Sequence, residues 1–368
     1  MNRSELAQTL EDRASTLGTL PVVTGFDGFV DEMISVVDER HSLDQYRRVE
    51  TIADLGNQIS AAAGHSSLRE IILNQIDPGG CAINMGDGLA TLGLPVTTFA
   101  TVGEPFHPAF ADYGTKAQLV SWGSEPGRTL AFEFADGKLM FSAVSQLQKF
   151  HPDALAEYLR DGQFRKSCEQ AHLIAITDWT LYPHMTLCWK YLRENVFSHL
   201  KSPRFFFDLV DPTTRSESDI RAMLSELSRY EEHGEVTLGL NQNEANILSQ
   251  LTGSSHPKAT DPTTATSQAA SLRKALGLHT VIIHSIRYAV GASAKESTEV
   301  WGPYCENPKK STGAGDRFNA GYALGKVLER PLRDALQLAV ASSGFFVRHG
   351  HSATSDDLCQ FLRDWDTA

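Results

Sequence analysis

The chain has 368 residues, about two and a half times a typical domain, which fits one large unit with an appendage or two ordinary domains. With 41% hydrophobic and 21% charged residues it is a globular chain, and wholesale disorder is excluded. A net charge of −12 opposes phosphate backbones and anionic lipid surfaces, so neither nucleic acid nor membrane is an expected partner.

In chain order, Leu6, Leu10, Ala14 and Leu17 recur at helical spacing and predict an amphipathic first helix rather than an unbroken apolar leader. Apolar runs at Leu20–Val23, Val96–Ala100, Leu173–Ile176, Arg204–Phe207, Val236–Leu240 and Val281–His284 predict core strands. Their continuous hydrophobicity is that of parallel strands covered on both faces. Helical patterns at Pro183–Leu192, Ile220–Tyr230, Ala269–Leu276 and Leu332–Val347 alternate with them, so the fold class is α/β.

Two segments break this rhythm. Residues 33–78 are too long for a simple connection, and 128–144 reads as a hairpin around Asp136-Gly137. Together they predict a lid, leaving 1–32, 79–127 and 145–368 as the α/β body. The Ser-, Thr- and Pro-rich stretch 252–268 reads as an exposed loop. Five cysteines are scattered with no CxxC pair, and no run approaches 18 apolar residues. A reducing, cytoplasmic setting is expected.

Four segments carry candidate chemistry. In Ser311-Thr-Gly-Ala-Gly-Asp-Arg-Phe-Asn-Ala-Gly321, the amides of Gly313, Ala314 and Gly315 would converge at a helix start, where the dipole favours an anion such as a phosphoryl group. Asp316 beside them could take a proton from an attacking hydroxyl. A plain cap at Thr312 with a tight glycine loop satisfies the same residues. In Asp77-Pro-Gly-Gly-Cys-Ala-Ile-Asn84, Gly79 and Gly80 allow close approach of a ligand, and Asn84 offers a donor and an acceptor to a polyol. A turn feeding a closely packed helix fits equally, and Cys81 is expected to be a bystander.

Asn241-Gln-Asn-Glu244 follows an apolar strand, where Asn241 and Glu244 could act on Mg²⁺ through water, or simply cap the next helix. Asp27 and Asp31, directly after the first strand, could accept from sugar hydroxyls or stand as solvated turn acids. GxxxxGK[ST], GxGxxG, HExxH and GxSxG are all absent. His349 and His351 sit in a loop-like setting that gives little reason to expect a metal.

Taken in order, GGCAIN, NQNE and STGAGDRFNAG resemble the ribokinase-like (PfkB-type) carbohydrate kinases, over roughly residues 20–365. The resemblance implies a three-layer fold with a mostly parallel central sheet, helices on both faces and a small β-rich lid. It implies Asp316 as catalytic base and Gly313, Ala314 and Gly315 as an anion hole. It places Asp31, Asp27, Gly79, Gly80 and Asn84 at the sugar. Asn241, Glu244, Thr312, Lys310 and His284 fall at the nucleotide and phosphate, with Glu244 and Asn241 reaching the metal only through water.

The activity implied is transfer of the γ-phosphate of ATP to a hydroxyl of a sugar or related polyol. Mg²⁺ is the implied cofactor, a monovalent cation is a candidate, and a homodimer through the lid is the implied assembly. A nucleoside kinase of the same fold and a sugar-binding regulator of weak turnover are the alternatives. Two departures stand out. Lys310 replaces the aspartate usual in the DTxGAGD signature, which would alter contacts at the phosphate end. His284-Ser-Ile-Arg-Tyr-Ala falls where relatives often read TxGxxG.

Overall fold

The computed structural model describes residues 2–365 apart from Ser255 and Pro257. The continuous apolar runs become the middle of a nine-stranded sheet. In chain order the strands are β1 Val22–Phe26, β2 Phe29–Arg40, β3 Tyr46–Arg48, β4 Ile71–Gly79, β5 Val96–Ala100, β6 Gln118–Ser121 and β7 Gly127–Phe134. They continue with β8 Gly137–Ala143, β9 Leu173–Ile176, β10 Arg204–Asp208, β11 Glu235–Asn241, β12 Thr280–His284, β13 Tyr288–Ser293 and β14 Ser297–Trp301. The large sheet runs β14-β13-β12-β11-β10-β9-β1-β5-β6 and is parallel except at β13 and β14.

Successive residues of these strands feed two cores. Val22, Leu173, Ala175, Phe206 and Ile282 pack on one face, and Val23, Ile174, Ile176, Phe205, Phe207, Val281 and Ile283 on the other. Helices cover both faces, which is why the strands show no polar alternation. The four helices expected from periodicity are present as Met185–Asn195, Glu217–Arg229, Pro262–Leu276 and Leu332–His349. The first helix is Arg3–Leu17; Ala7 is buried with Leu6, Leu10 and Leu17, whereas Ala14 is exposed.

The stretch expected to be a loop over 252–268 corrects itself at Asp261. That side chain accepts from the Thr264 amide at 3.0 Å, Pro262 occupies the first turn, and a helix starts there. Ser, Thr, Asp and Pro mark helix starts as well as loops, and composition does not separate the two. Ser255 and Pro257 of that stretch lie outside the described residues.

The second sheet has β2 at its centre, with β7 parallel beside it and β3 and β4 antiparallel along successive parts of its length; β8 pairs with β7 around Asp136-Gly137. It begins at Phe29 and includes Gly79, so Asp31 lies on a lid strand. A helix, Ile52–Ala61, accompanies the strands.

Candidate active site

Strands β1, β9, β10, β11 and β12 end at one edge of the large sheet, and most of the expected residues collect there. Helix Ala314–Val327 starts at this edge. Gly313 caps it at φ 83°, a left-handed conformation natural to glycine, and a Cβ there would lie 2.7 Å from Nη1 of Arg317. The Ala314 amide donates to the Ser311 carbonyl at 3.1 Å, closing the turn instead of facing an anion. The amides of Gly315 and Asp316 lie in the first turn, where helix geometry supplies no carbonyl partner and the dipole adds positive potential.

Arg317, a residue the motif reading passed over, holds this loop. Its Nε donates to Ser352 Oγ at 3.1 Å, Nη2 to Asp87 at 3.0 Å and Nη1 to the Gly313 carbonyl at 3.5 Å. The guanidinium carbon sits 4.5 Å from the centroid of the Phe346 ring. A basic residue inside a helix otherwise buried on this side was the available signal.

Asp316 is buried and has no ion pair among the described residues. Burial, reinforced by the charge of Asp208, pushes its pKa up to about 7, while Arg317 and a hydrogen bond from Cys81 pull the other way. A carboxyl poised near neutrality beside a helix N-terminus suits a general base. The Cys81 thiol is itself pushed well up by burial and by the carboxylates around it, so it is a donor here and no nucleophile.

Asp27 was expected at the sugar. It is instead buried under the helix Cys81–Thr91, accepting from the amides of Cys81 and of Ala82 (2.9 Å) and from Thr177 Oγ1 at 2.5 Å. Gly80, at φ 100°, permits this cap, since a Cβ would lie 2.6 Å from the Asp27 carbonyl oxygen. The helix then packs its small face on helix Ala314–Val327, where a Cβ on Gly88 would meet that of Ala320 at 2.8 Å. Asn84 on the same helix lies beside Gly313.

Asp31 sits on β2, in the second sheet. Strand register sets it opposite Asp77 on β4 and Thr129 on β7. Any side chain at position 79 would run into its carboxylate. Burial pushes its pKa up to about 6; the Thr129 hydroxyl donates to it, Asp77 raises it further and Lys310 opposes that. Lys310 was expected at the phosphate end, but its Nζ pairs with Asp77 at 3.0 Å and so faces the lid.

Asn241 and Glu244 form a closed capping box. The Asn241 amide donates to Glu244 Oε2 at 2.8 Å, its Nδ2 donates to Oε1 at 2.7 Å, and the Glu244 amide donates to Asn241 Oδ1 at 3.0 Å. Glu244 is buried, and its pKa is raised well above the carboxylate range by burial and by Asp208. Asp208, held by Asn319 Nδ2 at 2.7 Å, rises to about 6 for the same reasons of burial and neighbouring charge. Asp178, at φ 54°, is buried beside Asp27 and also raised.

A cleft of about 690 Å³ opens from this edge, lined by Asn241, His284, Tyr304, Gly315, Phe318 and Val340 among others. Its size and apolar walls suit a nucleotide. His284 packs against the Phe318 ring at 4.7 Å and lies beside Gly315; burial lowers its pKa to about 4, so the imidazole is neutral. His349 Nδ1 donates to the Phe345 carbonyl of its own helix at 2.9 Å.

A family model described as prokaryotic ketohexokinase matches residues 2–365. The chain belongs to this family. A ketohexokinase from Haloferax volcanii is 28% identical over 344 residues, 92% of this chain and 90% of that protein. Ribokinase from Thermotoga maritima matches with TM-score 0.62 at 15% identity, covering 94% of this chain and 99% of that one. Phosphofructokinase-2 from Escherichia coli, in complex with fructose-6-phosphate, matches at 0.60 with 14% identity over 94% and 99% of the two chains.

At such identities the solved structures speak for the ribokinase fold alone, and the family match carries the activity. The protein is a carbohydrate kinase that moves phosphate from ATP to a sugar. Among the described residues no helix is long and apolar enough to cross a membrane.

Proposed function

We propose that the kinase acts on an uncharged ketohexose, with Asp31 and Asn84 holding hydroxyls and Asp316 receiving the proton of the attacking one. The observation that carries this reading is Asp316, buried, free of an ion pair among the described residues and raised to about 7 beside the amides of Gly315 and its own residue. Ketohexose as substrate class is supported by the family description and the Haloferax volcanii relative. An uncharged sugar is supported by the acids on the lid side, Asp31 and Asp77, which repel a phosphorylated one.

Asp208 and Glu244 bring neighbouring carboxyl oxygens to the nucleotide side, the donor type that fits Mg²⁺. No three such groups among the described residues come together as a cage, so these acids would hold the ion through water and the nucleotide would supply inner ligands. When bound, the ion neutralises phosphate charge. Asp31 orients the sugar, the first-turn amides meet charge on the transferred group, and His284, beside Gly315, donates to a phosphate oxygen.

The residues 33–78 and 128–144, extended to Phe29 and Gly79, act as the lid. The face of this sheet opposite Asp31 exposes Ile71, Leu73 and Phe141, each about half accessible, and supports a homodimer through it; sedimentation showing only monomer would refute that part.

ADP release with Mg²⁺-ATP across fructose, tagatose, ribose, adenosine and fructose 6-phosphate tests the assignment. The highest kcat/KM is expected with a ketohexose. Preference for adenosine would replace the reading with a nucleoside kinase, and preference for fructose 6-phosphate would remove the charge argument.

A further inference from the structure

Two lysines cross between the lid and the signature loop in opposite directions. Lys310 leaves the loop for Asp77 on β4. Lys138, the second residue of β8, comes from the lid to the loop, its Nζ donating to Thr312 Oγ1 at 2.7 Å. The same ammonium pairs at 2.7 Å with Glu133, its cross-strand partner on β7. Thr312 directly precedes the Gly313 cap, so the ammonium stands next to the helix start where an anion would bind.

The loop needs a cation there. Asp208 raises the pKa values of both Glu244 and Asp316, and Asp316 adds to that of Glu244, so negative charge gathers on this side. Arg317 is spent behind the loop on Asp87, Ser352 and the Gly313 carbonyl, and Lys310 on Asp77. His284 is neutral. Among the described residues Lys138 has a half-exposed carboxylate, Glu133, and a hydroxyl as partners, both of which an incoming phosphate oxygen can replace.

We propose that Lys138 is a catalytic residue carried by the lid, its ammonium passing from Thr312 and Glu133 to an oxygen of the γ-phosphoryl group when the lid seats on the sugar. The bond from phosphorus to the ADP oxygen breaks, the bond to the sugar oxygen forms, and the hydroxyl proton goes to Asp316. Lys138 keeps its own proton throughout and contributes charge alone.

The inference rests on assigning residues 313–316 to the phosphoryl group. Lys138→Met, Lys138→Gln and Lys138→Arg are compared for kcat, sugar KM, melting temperature, and affinity for ADP with aluminium fluoride in the presence of sugar. Lys138→Met and Lys138→Gln are expected to lose about 100-fold in kcat and a similar factor in aluminium fluoride complex affinity. Lys138→Arg is expected to restore most of both, with melting temperatures unchanged.

Near-normal kcat in Lys138→Met overturns the proposal. So does activity in Lys138→Gln with loss in Lys138→Arg, which would make the residue a neutral tether to Thr312. If Asp316→Asn is inactive while Lys138→Met is not, only Lys138 falls; if Asp316→Asn turns over normally, the site assignment falls with it.

Discussion

The large sheet and the lid sheet are built from similar strands but are held by different forces. Every residue of β1 and β9 is buried, whereas most of β4 and β8 is half or fully exposed. The body closes on two continuous cores. The lid's own core is small, centred on Val36, Val49 and Leu55, and polar links such as Lys310–Asp77 and Lys138–Thr312 join it to the body. A rigid body can keep carboxylates desolvated and their pKa values displaced. A lid held by a few exchangeable contacts can open at modest cost.

That contrast can be broken from the body side first. Asp316→Asn should lower kcat by about 10²–10⁴-fold with sugar still bound, measured by ADP release and calorimetry. Arg317→Lys keeps the charge but loses the fork that holds Asp87, Ser352 and Gly313 together. It should cost roughly 10- to 100-fold in kcat with little change in sugar KM. Equal loss in KM would mean that Arg317 shapes the sugar site instead.

Acidity gives the next test. As the proposed base Asp316 would have to be ionised, so kcat/KM should climb with pH and level off above about 7, and Asp316→Asn should lack that limb. The same displacement weakens the fold. An aspartate raised when folded destabilises fully above its folded pKa, and the penalty fades as pH falls towards the ordinary carboxylate value. Asp316→Asn should therefore melt higher than the parent at pH 8, with the gap closing by about pH 4.

From the lid side the effects shrink. Lys310→Ala leaves Asp31 and Asp77 facing each other without a cation, so sugar KM should rise a few-fold while kcat at saturating sugar holds. A collapse of kcat would put Lys310 back at the phosphate end.

The same contrast decided what could be read beforehand. The buried parallel strands declared themselves because each residue, such as Ile174 or Phe206, fills one core or the other. Strand β2 did not, since FVDEMISVVDER mixes buried and charged positions and continues past the first strand into the lid. The turn at Gly313, with Asp316 in the first turn of the helix it caps, was legible as geometry because glycines and a short motif fix it locally. Asp27 was misplaced because a solvated acid and one capping a helix through Cys81 and Ala82 look alike in sequence. Arg317 and Lys138 were missed because their partners, Asp87, Ser352 and Thr312, are 35 to 230 residues distant.

The Lys310–Asp77 contact has a consequence for the solvent in which the kinase is assayed. Both side chains are partly accessible to water, at 36% and 17% of their surfaces, so mobile ions can compete for them. Raising potassium chloride from millimolar to molar levels shortens the reach of such a contact from tens of ångströms to about 3 Å. Apparent affinity for sugar should decline along that series faster in the parent than in Lys310→Ala. An osmolyte of equal osmolarity but no charge should leave both alone.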